Sequence, residues 1–281
     1  MALRRSCPLL GIVDTDTLQI EWEGQPRPVR LMDVDPEHAR PGGAKQPTEF
    51  GRRALRWAKE VVFQDVAEVI VEFPGEEVAY SNTGKLLAYV FVGGENANAR
   101  LVREGWSPCF NKYGHPRIHR AEMEQAEQWA RYEGRGVWGG RGGRGDYGAL
   151  QAYWSLRAGQ IEGCRHAVAM GEDVLGCRRD YRDILARAKA GTAAWVFAES
   201  VRSFHMADGS TLIQLGSPYY PLSAFFPASA AAVAGFVERE HLGFGKPNYL
   251  YYNGTMSLAG EHPQIAVERL EQVSTCPPGI V

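Results

Sequence analysis

Apolar and polar residues alternate near the start of the chain, and this alternation predicts strands. Leu18, Ile20 and Trp22 are separated by polar residues, as on one face of a strand. The run Gly24-Gln25-Pro26 is typical of a turn and leads into a second extended segment, residues 29–34. We therefore predict a β-hairpin in this part of the chain.

A helical spacing of apolar residues replaces the alternation from Thr48 onward. The apolar positions of this predicted helix are Phe50, Ala54, Trp57, Ala58 and Val61. Four cations lie between them, and we interpret these cations as a solvated face rather than as a nucleic-acid patch. They are Arg52, Arg53, Arg56 and Lys59.

The order of hairpin and helix then repeats. Alternating apolar residues predict a second pair of strands, residues 69–73 and 87–91, with a turn near Asn82-Thr83-Gly84. Residues 96–104 and 119–133 have helical patterns, and Gly134 and Gly136 end the longer helix. The first half of the chain therefore combines strands with three helices.

Residues 134–148 are dense in glycine and contain few apolar side chains. We predict a flexible linker, and an RGG-like strip that contacts RNA through Arg141 and Arg144 is the alternative. The segment that follows, residues 149–190, has a helical pattern and is predicted to be a helical connector.

The last third becomes rich in strand patterns again. A hairpin around Asp208-Gly209 is followed by an extended segment at residues 222–226 and by an alanine-rich helix at residues 229–239. Extended segments at residues 249–256 and 265–267 close the set. Strands, a helix and further strands predict a second small barrel.

Composition and charge limit the kinds of function. A length of 281 residues predicts two domains, and no apolar stretch is long enough for a membrane span. The short apolar run within residues 1–13 is interpreted as a first strand rather than as a secretory signal. Five scattered cysteines suggest reduced thiols in a cytoplasmic protein. Because the net charge is -2, contact with phosphates requires a local basic patch or a bound metal ion.

Three acidic residues lie at predicted strand ends. Asp16 starts the first hairpin, Asp35 ends its return strand, and Glu37 follows two residues later, while Arg30 lies on the return strand. Carboxylate oxygens are suited to Ca²⁺ or Mg²⁺. Taken alone, acidic residues at strand ends are usually solvated turn residues, and the pattern by itself favours that interpretation.

A series of motifs resembles the staphylococcal nuclease (thermonuclease) family over residues 8 to 140. The motifs are Asp14-Thr15-Asp16-Thr17, then Val29-Arg30-Leu31-Met32-Asp33-Val34-Asp35-Pro36-Glu37, Glu49-Phe50-Gly51, Gly84-Lys85-Leu86-Leu87-Ala88-Tyr89, Asn98-Ala99-Arg100-Leu101-Val102-Arg103-Glu104-Gly105 and Gly136-Val137-Trp138. The resemblance implies a five-stranded OB-fold barrel with three helices. The last strands of the chain are also similar to OB-fold modules that follow nuclease domains.

The resemblance implies roles for specific residues. Asp16 and Asp35 would ligate Ca²⁺ together with the main-chain carbonyl of Pro36, with Mg²⁺ or Mn²⁺ as alternatives. Glu37 would activate the attacking water, and Arg30 would hold a phosphate oxygen, where growing negative charge needs stabilisation.

The chain departs from the family pattern at three positions. Lys85 stands where a second catalytic arginine is expected, and lysine keeps the charge but loses the two-pronged hydrogen bond. Pro36 replaces a threonine and Thr15 replaces a turn glycine. We therefore expect an active but slower nuclease.

Substrate contacts are expected from the loop at residues 110–113. The resemblance places Phe110, Lys112 and Tyr113 against the nucleotide, since aromatic rings stack on any base. For Phe110, a place in the core is an equal alternative.

We predict a mainly β, α+β protein with three regions. These are a nuclease-like OB-fold domain (1–143), a glycine-rich linker and helical connector (144–192), and an OB-like domain (193–281). The predicted function is Ca²⁺-dependent hydrolysis of phosphodiesters in DNA or RNA, with single-stranded DNA or RNA favoured. The alternatives are a catalytically weakened module that binds nucleic acid or protein, and a structural adaptor; a protein partner would use the C-terminal domain.

Overall fold

A computed structural model of the chain describes residues 2–41, 46–81, 83–143 and 145–278. The chain divides into two compact units. The first contains Met1–Asn111 and His115–Gln151, and the second contains Lys112–Gly114 and Ala152–Val281. The predicted connector, residues 144–192, is therefore divided between the two units. Asn82 of the predicted turn and Arg144 of the predicted linker lie outside the described residues.

The first unit alternates strands and helices in the predicted order. Its elements are β1 (Arg4–Asp14), β2 (Thr17–Trp22), β3 (Gln25–Leu31), α1 (Glu49–Trp57), β4 (Glu68–Glu72), β5 (Leu86–Val92), β6 (Glu95–Asn96), α2 (Ala97–Arg103), α3 (Arg120–Tyr132) and the start of α4 (Tyr147–Ala169). The apolar run near the N-terminus forms β1, as predicted.

Five of these strands close into a barrel. β1 pairs antiparallel with both β2 and β4, β4 pairs with β5, and β3 pairs parallel with β5. Register shifts at residues 9–11 and 12–14 of β1 are bulges, which bend a strand so that it can pair with two neighbours. The order β1-β2-β3-β5-β4 confirms the predicted OB-fold barrel.

Helix α1 begins where the sequence predicts it but ends differently. The Thr48 hydroxyl accepts a hydrogen bond from Gly51 N–H at 2.9 Å and caps the helix. The four predicted surface cations are all exposed. Val61 was predicted to face the core and is instead exposed, because residues Ala58–Val62 form a wider π-helical turn that rotates the side chains away from the α-helical spacing.

The second unit holds another closed sheet. Its elements are the remainder of α4, β7 (Val174–Gly176), α5 (Tyr181–Ala190), β8 (Ala193–His205), β9 (Thr211–Ser217), β10 (Tyr220–Phe226), α6 (Ala231–His241), β11 (Tyr249–Ala259), β12 (His262–Ala266) and β13 (Val273–Ser274). The order β8-β9-β10-β12-β11 closes through pairing of β11 with β8, and β10 runs parallel to β12. This connectivity is the same as that of the first barrel.

The prediction of a continuous helical segment at residues 149–190 is wrong at residues 174–176. Gly171 adopts a left-handed φ of 92°, which ends α4 shortly after Ala169. Val174 and Leu175 then form β7, which pairs parallel with β8. A short apolar run between two helices has no periodicity of its own, and here strand pairing decides its structure.

The interior of the second unit contains a buried arginine that forms an ion pair. The Arg157 side chain is fully buried and donates to Glu199 at 2.7 Å and to Asn248 at 2.8 Å. Its guanidinium lies 4.7 Å from the centre of the Tyr249 ring. Tyr249 is partly buried and packs against the buried residues Phe197 and Tyr251. No helix within the described ranges is long and apolar enough to cross a membrane.

Cysteine reactivity tests the burial pattern of both units. Cys7, Cys109, Cys164 and Cys177 are buried free thiols and Cys276 is exposed. Burial raises the pKa of the four buried thiols, that of Cys177 to about 12.

Because the thiolate is the reactive form, we expect the folded protein at pH 8 to react rapidly with DTNB at one thiol per chain. Cys276→Ser should remove this reaction, and a second fast thiol in the native protein would contradict the fold.

Candidate active site

The first predicted acid, Asp16, lies in the tight connection between β1 and β2. Its main-chain carbonyl accepts a hydrogen bond from Leu31 N–H at 2.8 Å. Its carboxylate accepts one from the Thr17 hydroxyl at 2.9 Å. Asp16 is only 5% exposed. The backbone of β3 therefore holds the main chain of Asp16, and a neighbouring hydroxyl holds its carboxylate, at the edge of the barrel.

Asp35 is reached through a turn rather than through the end of a strand. β3 stops at Leu31, and Asp33 takes a left-handed φ of 55° that reverses the chain. Burial raises the pKa of Asp33 to about 6, although the hydrogen bond from the Tyr89 hydroxyl opposes this rise. Asp35 N–H then donates to the Ser107 hydroxyl at 2.7 Å. Asp35 is 5% exposed. Because β3 ends at Leu31, the predicted strand at residues 29–34 is too long.

Arg30 joins the two aspartates. Its Nε lies 3.2 Å from Asp16 Oδ2 and its Nη2 lies 3.8 Å from Asp35 Oδ1. Arg30 points outward from β3 because Val29 and Leu31, on either side of it, face the core. The structure therefore brings these three predicted residues together at one edge of the barrel.

Lys85 immediately precedes β5, the strand that pairs with the Arg30 strand β3. Arg30 pairs with Leu87 in the parallel ladder, and Lys85, two residues earlier, shares the face of Leu87. Lys85 is half-buried, and its main chain exchanges hydrogen bonds with Ser81. Within the described part of the chain its ammonium group forms no ion pair. The cation is therefore on the same side of the barrel as Arg30.

Glu37 is held by contacts of its own. Its carboxylate accepts hydrogen bonds from the Thr48 hydroxyl, from Gly143 N–H at 2.6 Å and from the Tyr147 hydroxyl at 2.5 Å. Glu37 is 1% exposed, which is less than the 5% of Asp16 and of Asp35. Neutral hydrogen-bond donors thus surround the carboxylate that was predicted to activate the attacking water.

Helix α1 packs directly on the main chain beside Glu37. Thr48 N–H donates to the His38 carbonyl at 3.0 Å. A Cβ atom at Gly51 would lie 2.2 Å from the same carbonyl oxygen. Only glycine permits this approach, which gives the Glu49-Phe50-Gly51 motif a physical reason: it fixes the loop that carries Glu37.

The glycine-dense segment at residues 134–148 was predicted to be a flexible linker, and the structure differs. Val137 and Tyr147 are buried and pack with Phe50, while Gly143 donates to Glu37. The segment belongs to the first unit. Composition suggested a linker because the segment has few apolar residues. Two of these residues, Val137 and Tyr147, are nevertheless buried.

The predicted substrate residues lie in different units. Phe110 is half-buried in the first unit, and its N–H donates to the Asp33 carbonyl at 2.8 Å. Lys112 and Tyr113 belong to the second unit. There, Tyr113 is 58% exposed and the Lys112 ammonium lies 5.3 Å from the centre of its ring. Their contact with a nucleotide stays a prediction.

The oxygen atoms of Asp16, Asp35 and their neighbours are of the kind that bind a hard cation. Both carboxylates are buried, and the Thr15 hydroxyl oxygen beside Asp16 is buried without a hydrogen-bond partner in the described structure. No cluster of three or more Asp, Glu, His or Cys side chains suited to a metal occurs within residues 2–41, 46–81, 83–143 and 145–278. Two carboxylates with neighbouring carbonyl and hydroxyl oxygens are of the ligand type that Ca²⁺ accepts.

Four residues that shape the site were not identified from the sequence. They are Thr48, Ser107, Gly143 and Tyr147. Thr48 could have been found, because threonine before a helical pattern indicates an N-cap. Ser107 lies 72 residues from Asp35, and Tyr147 lies 110 residues from Glu37, so no local signal links these pairs.

Comparison with known proteins identifies relatives of the first half of the chain. Residues 28–140 match the family described as staphylococcal nuclease homologue. The chain is 32% identical over 133 residues to the thermonuclease of Staphylococcus intermedius. The matched region covers 45% of this chain and 72% of that protein. It is 27% identical over 132 residues to the thermonuclease of Staphylococcus hyicus, covering 46% and 73%. It is also 28% identical over 131 residues to the SPbeta prophage-derived endonuclease YokF of Bacillus subtilis (strain 168), covering 46% and 43%.

The close approach at Gly51 can be tested directly. We expect Gly51→Ala to lower the free energy of unfolding of the first unit by about 1–3 kcal/mol, because the new Cβ would overlap the His38 carbonyl. Urea unfolding followed by tryptophan fluorescence measures this change. Gly75→Ala is the matched control, since a Cβ there meets nothing within 4 Å. Equal urea midpoints for the two variants would show that α1 does not fix the Glu37 loop.

Proposed function

We propose, since the chain belongs to the staphylococcal nuclease family, that its first unit binds Ca²⁺ and hydrolyses phosphodiester bonds of single-stranded DNA or RNA. The observation that carries this proposal is the bridge from Arg30 to both Asp16 and Asp35. Two buried carboxylates and a guanidinium at one edge of a barrel supply the charges that binding a cation and a phosphate requires.

Asp16 and Asp35 would hold the cation, with the Pro36 carbonyl as a further ligand. When bound, Ca²⁺ would supply positive charge to the phosphate oxygens. Ser107 and Thr17 support this role, since each hydrogen-bonds one of the two aspartates and so fixes its position.

Arg30 would hold a non-bridging phosphate oxygen. A guanidinium has five N–H donors, and the two aspartates engage only part of that set. Arg30 is partly exposed whereas Asp16 and Asp35 are buried, so its guanidinium is the part of the site that solvent and substrate reach. Lys85, on the same face, would add a second positive charge.

Glu37 would act as the general base. As water attacks phosphorus, a new P–O bond forms, the P–O bond to the leaving oxygen breaks, and Glu37 takes the proton that water loses. The leaving oxygen takes a proton from solvent. A carboxylate in this position commonly contributes about 10²- to 10⁴-fold.

The second unit would contribute binding rather than chemistry. Tyr113, exposed and accompanied by Lys112, offers a ring for stacking and a charge for phosphate. A protein partner for its barrel stays a proposal. The five free cysteines support a cytoplasmic location.

Substitution of the charged residues tests the proposed reaction. We expect Asp35→Asn and Glu37→Gln each to lower the initial rate of cleavage of labelled single-stranded DNA at least about 10²-fold. Arg30→Lys should lower it by about 10²-fold, because lysine cannot form the two-pronged contact. EGTA should abolish cleavage by the unsubstituted protein.

Two exposed neighbours serve as controls for these substitutions. Glu21→Gln on β2 and Arg27→Lys on β3 remove or exchange comparable groups outside the site and should leave the rate unchanged. A protein that retains labelled DNA without cleaving it, in Ca²⁺ as in EGTA, would overturn the nuclease proposal and support the binding module instead.

Lys85→Arg tests the main departure from the family pattern. Arginine would restore a bidentate contact with a phosphate oxygen, so we expect kcat to rise by about tenfold. The rate is measured at saturating substrate, and KM is compared in the same experiment. An unchanged or lower kcat would mean that residue 85 does not reach the reacting phosphate.

A further inference from the structure

A general base must touch the water that it activates, and in this structure protein covers Glu37 almost completely. The residue is 1% exposed. Its carboxylate has about four lone-pair sites, and the described hydrogen bonds occupy three of them. Asp16 and Asp35 are also buried, but Arg30 beside them remains partly open. Of the three acidic residues, Glu37 is therefore the least accessible to solvent, although it is the one proposed to activate water.

We propose that Gly142, Gly143 and Tyr147, here called the cap, hold the active site in a latent state by covering Glu37. The inference rests on the proposed nuclease function. Catalysis then requires the cap to leave the carboxylate, and the closed conformation described here is inactive. Thr48 would keep its hydrogen bond to Glu37 in both conformations, since Thr48 belongs to the helix start that fixes the Glu37 loop.

The fit between cap and carboxylate is close at each of the three residues. A Cβ at Gly142 would lie 2.5 Å from Tyr147 Cε2 and 3.1 Å from Glu37 Oε1. A Cβ at Gly143 would lie 3.1 Å from Glu37 Oε2. The Tyr147 ring is buried against Phe50 and Val137. Two adjacent positions that accommodate glycine, and a buried tyrosine whose hydroxyl reaches the carboxylate, indicate a built contact rather than an incidental one.

The cap is a feature of this chain beyond the family match. Residues 28–140 match the family model, and all three cap residues follow that range. Gly143 and its neighbours Arg141 and Gly145 are exposed, and among the described residues from Arg141 to Tyr147 the buried side chain is that of Tyr147. A segment with few buried apolar contacts opens at low free-energy cost, and a substrate that binds the open form would shift the equilibrium towards it.

Tyr147→Phe is the first test, because it removes the hydroxyl and keeps the ring. We expect the initial rate of single-stranded DNA cleavage to rise by about tenfold or more, the factor that loss of a hydrogen bond to a charged group produces in an open–closed equilibrium. Protection of the Gly143 amide from hydrogen exchange should fall by a similar factor in the absence of metal. Tyr132→Phe, at an 84% exposed position of the same unit, should change neither measurement.

Gly142→Ala is the second test and opens the cap by a different route. Its new Cβ would displace the Tyr147 ring, so cleavage should rise and Gly143 protection should fall, whereas Gly75→Ala should do neither. A folded variant of either kind that cleaves no faster than the unsubstituted protein, or that keeps Gly143 protected, overturns the inference; if Tyr147→Phe does not fold, Gly142→Ala decides. Absence of cleavage in every protein tested, with Gly143 exchange still responding, instead overturns the proposed function and the inference with it.

Discussion

The parallel pairing of β3 with β5 is the constraint on which the candidate site depends. It closes the first barrel and sets Arg30 opposite Leu87, which places Lys85 on the same face. Closure also directs the chain after Leu31 into a tight turn at Asp33 rather than onward as a strand. That turn returns Asp35 towards Asp16, so that one guanidinium can contact both carboxylates.

The site is held in two different ways on its two sides. On one side, charge is balanced by charge, since Arg30 lies between Asp16 and Asp35. On the other side, Glu37 is surrounded by neutral donors from a helix cap, a glycine amide and a tyrosine hydroxyl. Burying a carboxylate is costly unless its oxygens are hydrogen-bonded, and these donors offset that cost while also closing access to it.

The two barrels show how little the fold alone decides about chemistry. Both have the same strand order, with a parallel contact between the third and fifth strands and a helix before the fourth. In the first barrel the turn before the second strand carries Asp16, which faces Arg30. In the second barrel the corresponding turn carries Asp208, whose carboxylate accepts hydrogen bonds from the Ser210 N–H and hydroxyl and so stabilises the turn itself. Function resides in the residues placed on the barrel.

The sequence by itself determined the two barrels and most strands and helices, because alternation, helical spacing and family motifs are local properties of the chain. It also singled out Asp16, Asp35, Arg30 and Lys85 as candidates for the site. Only the tertiary structure decided what Glu37 does in the folded chain, where β3 ends and that residues 174–176 form a strand. Those outcomes depend on contacts between residues such as Glu37 and Tyr147, which lie 110 positions apart. Neither residue type nor spacing records such a pair, since its geometry arises only when the barrel closes and the glycine segment packs against it.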